Sequence, residues 1–193
     1  MNSECQERLH RATAFVLHHH ATQTRKGSAI PYVSHLLQVS GAVLEYGGST
    51  NQAIAALCHD TIEDCEVTRA QLALEFGEEV AQIVADCTDT LPGDTPQKKS
   101  DWKTRKDAYL DHLAQADGKS VLVAACDKLH NLSCIVSDVR AHGTPYLDRF
   151  SSTPEQQLWY FSTFLKNTQD RLPKRLILAF ESQLSLFKRQ IGA

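Results

Sequence analysis

Apolar positions recur along most of the chain every three to four residues, the spacing of amphipathic helices rather than of strands. Leu9, Ala12, Phe15 and Val16 share one face and predict a first helix from Glu4 to about Thr24. A polar turn, Arg25-Lys26-Gly27-Ser28, separates it from a second helix that starts near Pro31, with Ser34 as a candidate N-cap, and stops at Gly47-Gly48. Ser49 or Thr50 caps a third, Asn51 to about Glu63. A short fourth helix follows Thr68 and is broken at Phe76-Gly77, and Glu78 to Cys87 forms a fifth. The stretch Thr88 to Lys99 holds Pro92, Gly93 and Pro96 and reads as a mobile loop. Helical spacing resumes over Trp102 to Gln115, then over Lys119 to Val139, whose apolar start predicts a central position. His142 to Pro154 is irregular, and Glu155 to Lys166 and Pro173 to Ile191 close the chain as helices. Strand alternation persists nowhere, and there is no internal repeat. The expected fold is all-α, a single compact domain over residues 1–193 with its site between the central helices.

Composition narrows the function. At 193 residues the chain suits one well-cored domain. A net charge of −3 lacks the basic excess of a nucleic-acid binder, so no nucleic-acid partner is expected, while a small anionic ligand needs only a local basic patch. No run approaches the length of a membrane span and no leader opens the chain, so a cytoplasmic protein without a membrane partner is expected. Cys5, Cys58, Cys65, Cys87, Cys126 and Cys134 contain no C-x-x-C pair, and most sit in apolar stretches. They are expected to be buried, reduced thiols.

Four polar residues interrupt apolar runs. His59 and Asp60 end Ala53-Ile54-Ala55-Ala56-Leu57-Cys58, Asp127 ends Leu122-Val123-Ala124-Ala125-Cys126, and His35 lies in the second helix. A carboxylate at the end of a buried stretch is costly unless compensated. One divalent cation would compensate all four groups, and two imidazoles with two carboxylates suit manganese, iron or zinc. Taken singly, each could be a hydrogen-bonded core residue. On a continuous helix Glu63 would lie one turn beyond His59 and Asp64 one turn beyond Asp60, facing the same pocket, where a carboxylate can take a proton from an activated water. Their bland alternative is a solvated helix end. Asn131 stands one turn from Asp127 and could hold a ligand hydroxyl or cap a helix. Lys98, Lys99, Lys103, Arg105 and Lys106 cluster beside the loop, as a phosphate-binding patch or as a solvated face. In His18-His19-His20 the first two read as surface and His20 as packed or at the edge of the site.

The pattern His35 … His59-Asp60-x-x-Glu63-Asp64 … Asp127-Lys128-Leu129-x-Asn131-Leu132 resembles the hydrolase domains of the Rel/Spo family, above all the single-domain small alarmone hydrolases of animal type. Arg25-Lys26, Pro31-Tyr32-x-x-His35 and Phe76-Gly77-x-x-Val80 leading to Thr88-Asp89 extend the match over about Phe15 to Tyr160. The resemblance implies a 3′-pyrophosphohydrolase that converts ppGpp or pppGpp to GDP or GTP and pyrophosphate, with no synthetase segment. It implies one Mn²⁺ held by His35, His59, Asp60 and Asp127, and an attacking water activated by Glu63 and Asp64. Arg25 would stack on the guanine with Lys26 nearby, Asn131 would hold the nucleotide, and Tyr160 matches an aromatic beside it. The chain departs from the family around Gln156, where a phosphate-binding arginine is absent, and over Leu91 to Lys99. The same metal chemistry on ppApp, NADPH or a nucleoside monophosphate stays open, as does a non-catalytic alarmone-binding module.

Overall fold

In a computed structural model, described for residues 2–91, 93–94 and 100–193, ten α-helices and two 3₁₀ turns make up the chain. The helices are α1 (Ser3–His19), α2 (Val33–Glu45), α3 (Thr50–Cys58), α4 (Thr61–Asp64), α5 (Arg69–Phe76), α6 (Glu78–Cys87), α7 (Trp102–Gln115), α8 (Gly118–His142), α9 (Pro154–Thr168) and α10 (Lys174–Ile191). The 3₁₀ turns cover Thr144–Arg149 and Gln169–Arg171. Among the described residues the one extended pairing is an isolated bridge between Thr24 and Pro31. Among the described residues no helix is long and apolar enough to cross a membrane.

Two helices set the centre. All of α3 from Gln52 to Cys58 is buried, and α8 is buried without a break from Ser120 to Lys128. Around them, α2 packs on both, α1 and α6 pack on α3, and α10 lies along α8 beside α9. The tight pass from α2 into α3 needs glycine at position 48, where a Cβ would lie 2.5 Å from Val43 Cγ1 and 2.8 Å from the Val43 carbonyl oxygen. Ser49 then accepts from the Gln52 amide while Gln52 accepts from the Ser49 amide, a reciprocal cap that fixes where α3 begins. Thr68 and Gln71 start α5 in the same way.

Several boundaries differ from the sequence reading. The first helix ends at His19 rather than Thr24, because residues 20–32 fold back through the Thr24–Pro31 bridge. Ser34 is not a cap, since α2 starts at Val33 behind Tyr32, which makes no side-chain cap bond. The helix expected over Asn51 to Glu63 stops at Cys58, and α4 restarts it at Thr61. Part of the irregular 142–154 stretch winds into a 3₁₀ turn. The cysteines are unpaired as expected, but Cys5, Cys65 and Cys134 are half-buried rather than buried. Half of the expected loop, with Lys98 and Lys99, lies outside the described residues.

Candidate active site

The break between α3 and α4 presents the centre of the site. His59 is the C-cap of α3 and Asp60 the N-cap of α4, so both side chains leave the helix axis where the two elements meet. His35 comes from the first turn of α2 and Asp127 from the middle of α8. His35, His59 and Asp127 are buried, with ligand atoms all within 4.8 Å of one another. Asp60 closes the group, its Oδ2 lying 3.0 Å from His59 Nε2 and 3.7 Å from His35 Nε2.

The outer nitrogens decide what the inner ones can do. His59 Nδ1–H donates to the Ala56 carbonyl at 2.8 Å, which leaves Nε2 with a lone pair. His35 Nδ1 lies 2.7 Å from His130 Nδ1. Burial, then His35 and Arg25, push the His130 imidazole down to about 4, so it is neutral and accepts the proton of His35 Nδ1–H. His35 Nε2 then also carries a lone pair, and it faces His59 Nε2 at 3.3 Å. Two imidazoles and two carboxylates converging on one buried point call for positive charge there. Without a metal, Asp60 and Asp127 outweigh burial and raise the His59 imidazole well above its usual value, so a proton supplies it. Imidazole nitrogens with carboxylate oxygens fit a divalent metal in its place.

Burial works against the charge on Asp127, but Lys128, His59 and His35 outweigh it and hold the carboxyl well below the usual range. Lys128 Nζ donates to Asp127 Oδ2 at 2.5 Å and lies over the Tyr109 ring at 4.7 Å. Asn131 Nδ2 donates to the other oxygen at 2.6 Å, and Arg25 donates to Asn131 Oδ1 at 2.8 Å. The Tyr32 hydroxyl donates to Asp60 Oδ2 at 2.6 Å. Sequence reasoning passed over Tyr32 and His130 as partners. The available signal was spacing: Tyr32 lies three residues before His35, and His130 three after Asp127.

Glu63 and Asp64 sit on α4, Glu63 half-buried and Asp64 exposed. Their expected registry assumed one continuous helix, which the break at His59–Asp60 removes. A helical turn still links Asp60 to Asp64, whose amide donates to the Asp60 carbonyl at 2.9 Å. Asp64 also accepts from Gln23 Nε2 at 2.8 Å, and Gln23 bonds buried His20, which stacks on Tyr32.

A cleft of about 890 Å³ runs outward from Arg25, Lys26, Tyr32, His130 and Asn131 along α8 to the 3₁₀ turn at Thr144–Arg149. Arg149 ties its two walls together by donating to the Gly27 carbonyl at 3.2 Å. Gly27 has φ +72°, and a Cβ there would lie 2.7 Å from Arg149 Nη1, so this turn needs glycine. A smaller cavity of about 180 Å³ on the other side of Asn131 is lined by Lys106, Lys128, Gln157 and Tyr160 among others. The buried Tyr160 hydroxyl and both polar atoms of buried Gln157 have no hydrogen-bond partner among the described residues. Lys103 lines neither space. It is exposed, pairs with Asp107 at 2.5 Å and covers the Trp159 ring at 3.9 Å.

The HD-domain family profile matches residues 12–147. The chain belongs to the HD-domain family. Its HD domain is 36% identical over 126 residues to the guanosine-3′,5′-bis(diphosphate) 3′-pyrophosphohydrolase MESH1 of Xenopus tropicalis, a match spanning 63% of this chain and 65% of that protein. To the human MESH1 it is 32% identical over 68% of this chain and 71% of that one. A probable guanosine-3′,5′-bis(diphosphate) 3′-pyrophosphohydrolase of Synechocystis is 31% identical, the match covering 16% of its length. Among solved structures, a metazoan orthologue of SpoT that hydrolyses ppGpp superposes with a TM-score of 0.69 at 25% identity, over all of this chain and 97% of that one. These matches bear out the resemblance read from the motifs, and with it the helical HD fold; an HD domain implies a divalent metal, and His35, His59 and Asp127 form a cluster that could hold one.

Proposed function

We propose that this HD domain hydrolyses the 3′-diphosphate of ppGpp or pppGpp, giving pyrophosphate and GDP or GTP. The observation that carries it is the convergence of four lone-pair donors on one buried point at the head of a nucleotide-sized cleft flanked by Arg25 and Lys26. His35, His59, Asp60 and Asp127 would hold one Mn²⁺, and when bound this cation acidifies water and withdraws charge from phosphoryl oxygens. Tyr32, His130 and Ala56 fix how those ligands point.

Glu63 and Asp64, at the solvent side of Asp60, position the attacking water and take its proton. The water oxygen bonds to the α-phosphorus of the 3′ arm, the bond from phosphorus to O3′ breaks, and O3′ leaves with a proton. Arg25, held by Asn131, lays its guanidinium against the purine, with Lys26 beside it. On the other side of Asn131, Lys106 and Tyr160 offer charge and a free hydroxyl to a phosphate arm. Lys103 supports this patch from outside, through Trp159. The small nucleotide is the partner this arrangement calls for.

The test is ion-exchange analysis of products after incubation with Mn²⁺ and, separately, ppGpp, ppApp, NADPH and GMP. GDP and pyrophosphate from ppGpp, formed much faster than any product from the others, is the expected result. Phosphate released from a different nucleotide, with ppGpp intact, would retain the metal chemistry and discard the substrate.

A further inference from the structure

The outer part of the cleft carries a feature that phosphate chemistry does not ask for. Beyond Asn131, the cleft-lining face of α8 continues through Cys134, Ile135, Asp138 and His142. Asp138 is the one carboxylate among the described residues lining a cleft whose charged groups otherwise include Arg25, Lys26 and Arg149. A carboxylate there weakens the attraction for phosphate, so it must face another part of the ligand. It sits seven residues, about 10 Å of helix, beyond Asn131 on the same face. That places it farther along the cleft than Asn131, which holds Arg25, the residue proposed to lie against the base.

The carboxylate also has an aromatic neighbour. Burial, and then the adjacent Asp138 carboxylate, raise the Tyr146 phenol above its usual value. The Tyr146 ring stacks on His142 with centroids 5.5 Å apart, and the Arg149 guanidinium lies 3.4 Å from the ring centroid. A carboxylate has only acceptor sites, and Asp138, as a lining residue, offers them to the cleft.

From this geometry we infer that Asp138 reads the Watson–Crick edge of a guanine base and is a specificity-determining residue of the cleft. Guanine presents N1–H and the N2 amino group side by side, two donors matched to one carboxylate, which has only acceptors. Adenine presents its N1 lone pair at the same place, which a carboxylate repels. The inference rests on the nucleotide-hydrolase assignment for its substrate but concerns the base alone, so equilibrium binding tests it apart from turnover.

The experiment compares wild type, Asp138→Ala and Asp138→Asn in kcat/KM for ppGpp and ppApp, and in Kd for GDP and ADP by calorimetry. Wild type is expected to favour guanine by roughly ten- to a hundredfold, the range for one well-formed pair of hydrogen bonds to a base. Asp138→Ala should bring the ratio toward one. Asp138→Asn presents a donor beside an acceptor, the complement of adenine, and should move the ratio further toward adenine. A merely structural role, as a neighbour of Tyr146, would lower both nucleotides together and leave the ratio unchanged, which would overturn the inference. An equal affinity of wild type for GDP and ADP would overturn it too. Guanine-selective binding without ppGpp turnover would retain it and reject the proposed activity, and binding of neither nucleotide would remove both.

Discussion

The two flanks of Asn131 place charge in opposite ways. On one side, Asp127, His35 and His59 are buried and each is held by at least two neighbours. On the other, the cations of α7 lie half-buried or exposed, and acids of their own neighbourhood already engage them. Arg105 donates to Asp89 at 2.9 Å, Lys106 pairs with the same carboxylate, and Lys103 pairs with Asp107. A charge taken out of water must have a compensating partner, so its role is written into its burial. A solvated charge carries no such requirement, and its presence in a cluster says little about what it touches.

Asp127 tests the buried side most severely. Asp127→Ala should abolish bound metal and lower kcat/KM about a thousandfold or more, since a bound cation contributes several kcal/mol to the transition state. It should also destabilise the fold by about 3–5 kcal/mol, because Lys128 would be left buried with no counter-charge. Metal content by mass spectrometry and a denaturant melt separate the two losses. Asp127→Ala protein that keeps its metal and its rate would break the contrast at its root.

Glu63→Gln should come next, with kcat reduced about a hundred- to ten-thousandfold and nucleotide and metal binding retained. Single-turnover rates beside a binding isotherm check this. Unchanged kcat would move the proton-accepting role to Asp64 or away from α4. Tyr32→Phe and His130→Ala reach the ligands at one remove. Each should weaken metal affinity by about ten- to a hundredfold, as is usual for groups that orient a ligand. Titration of Mn²⁺ into metal-free protein gives the number directly, and a change below about twofold in both would mean that the helices alone aim His35 and Asp60.

This order of effects matches what could be read in advance. The apolar runs before His59 and Asp127 announced buried helices ending in groups that had to be compensated, and α3 from Gln52 to Cys58 and α8 from Ser120 to Lys128 are buried. The start of α3 was legible because Ser49 and Gln52 cap each other within four residues of sequence. Its end was not. Nothing local distinguishes Cys58-His59-Asp60-Thr61 from a helix that continues, and the break that turns His59 and Asp60 to the same centre depends on α2 and α8 supplying His35 and Asp127. The end of α1 failed for the same reason, since the return of residues 20–32 is fixed by contacts with Pro31 and Tyr32 that periodicity does not see. The partners of His35 and Asp60 needed the third dimension, although each lies three residues from a ligand.

The smallest effects fall on α7, where they sharpen the contrast most. Lys106 shares a cavity with Lys128, unpartnered Gln157 and the Tyr160 hydroxyl, with its Nζ 4.8 Å from the Tyr160 ring centroid. Lys103, three residues earlier, faces outward over Trp159. If position rather than cluster membership decides, Lys106→Ala should raise KM for ppGpp about tenfold, the loss of one charge-assisted hydrogen bond of about 1.5 kcal/mol. Lys103→Ala should stay within about threefold, because an exposed pair contributes well under 1 kcal/mol. Steady-state kinetics of both at two salt concentrations discriminate a direct contact from a field effect, since the field of an exposed charge is screened within a Debye length and a contact inside a cavity is screened far less. Equal, salt-sensitive losses for both lysines would mean that α7 acts as a diffuse basic face, and that the unpartnered Gln157 and Tyr160 groups serve something other than the phosphate arm.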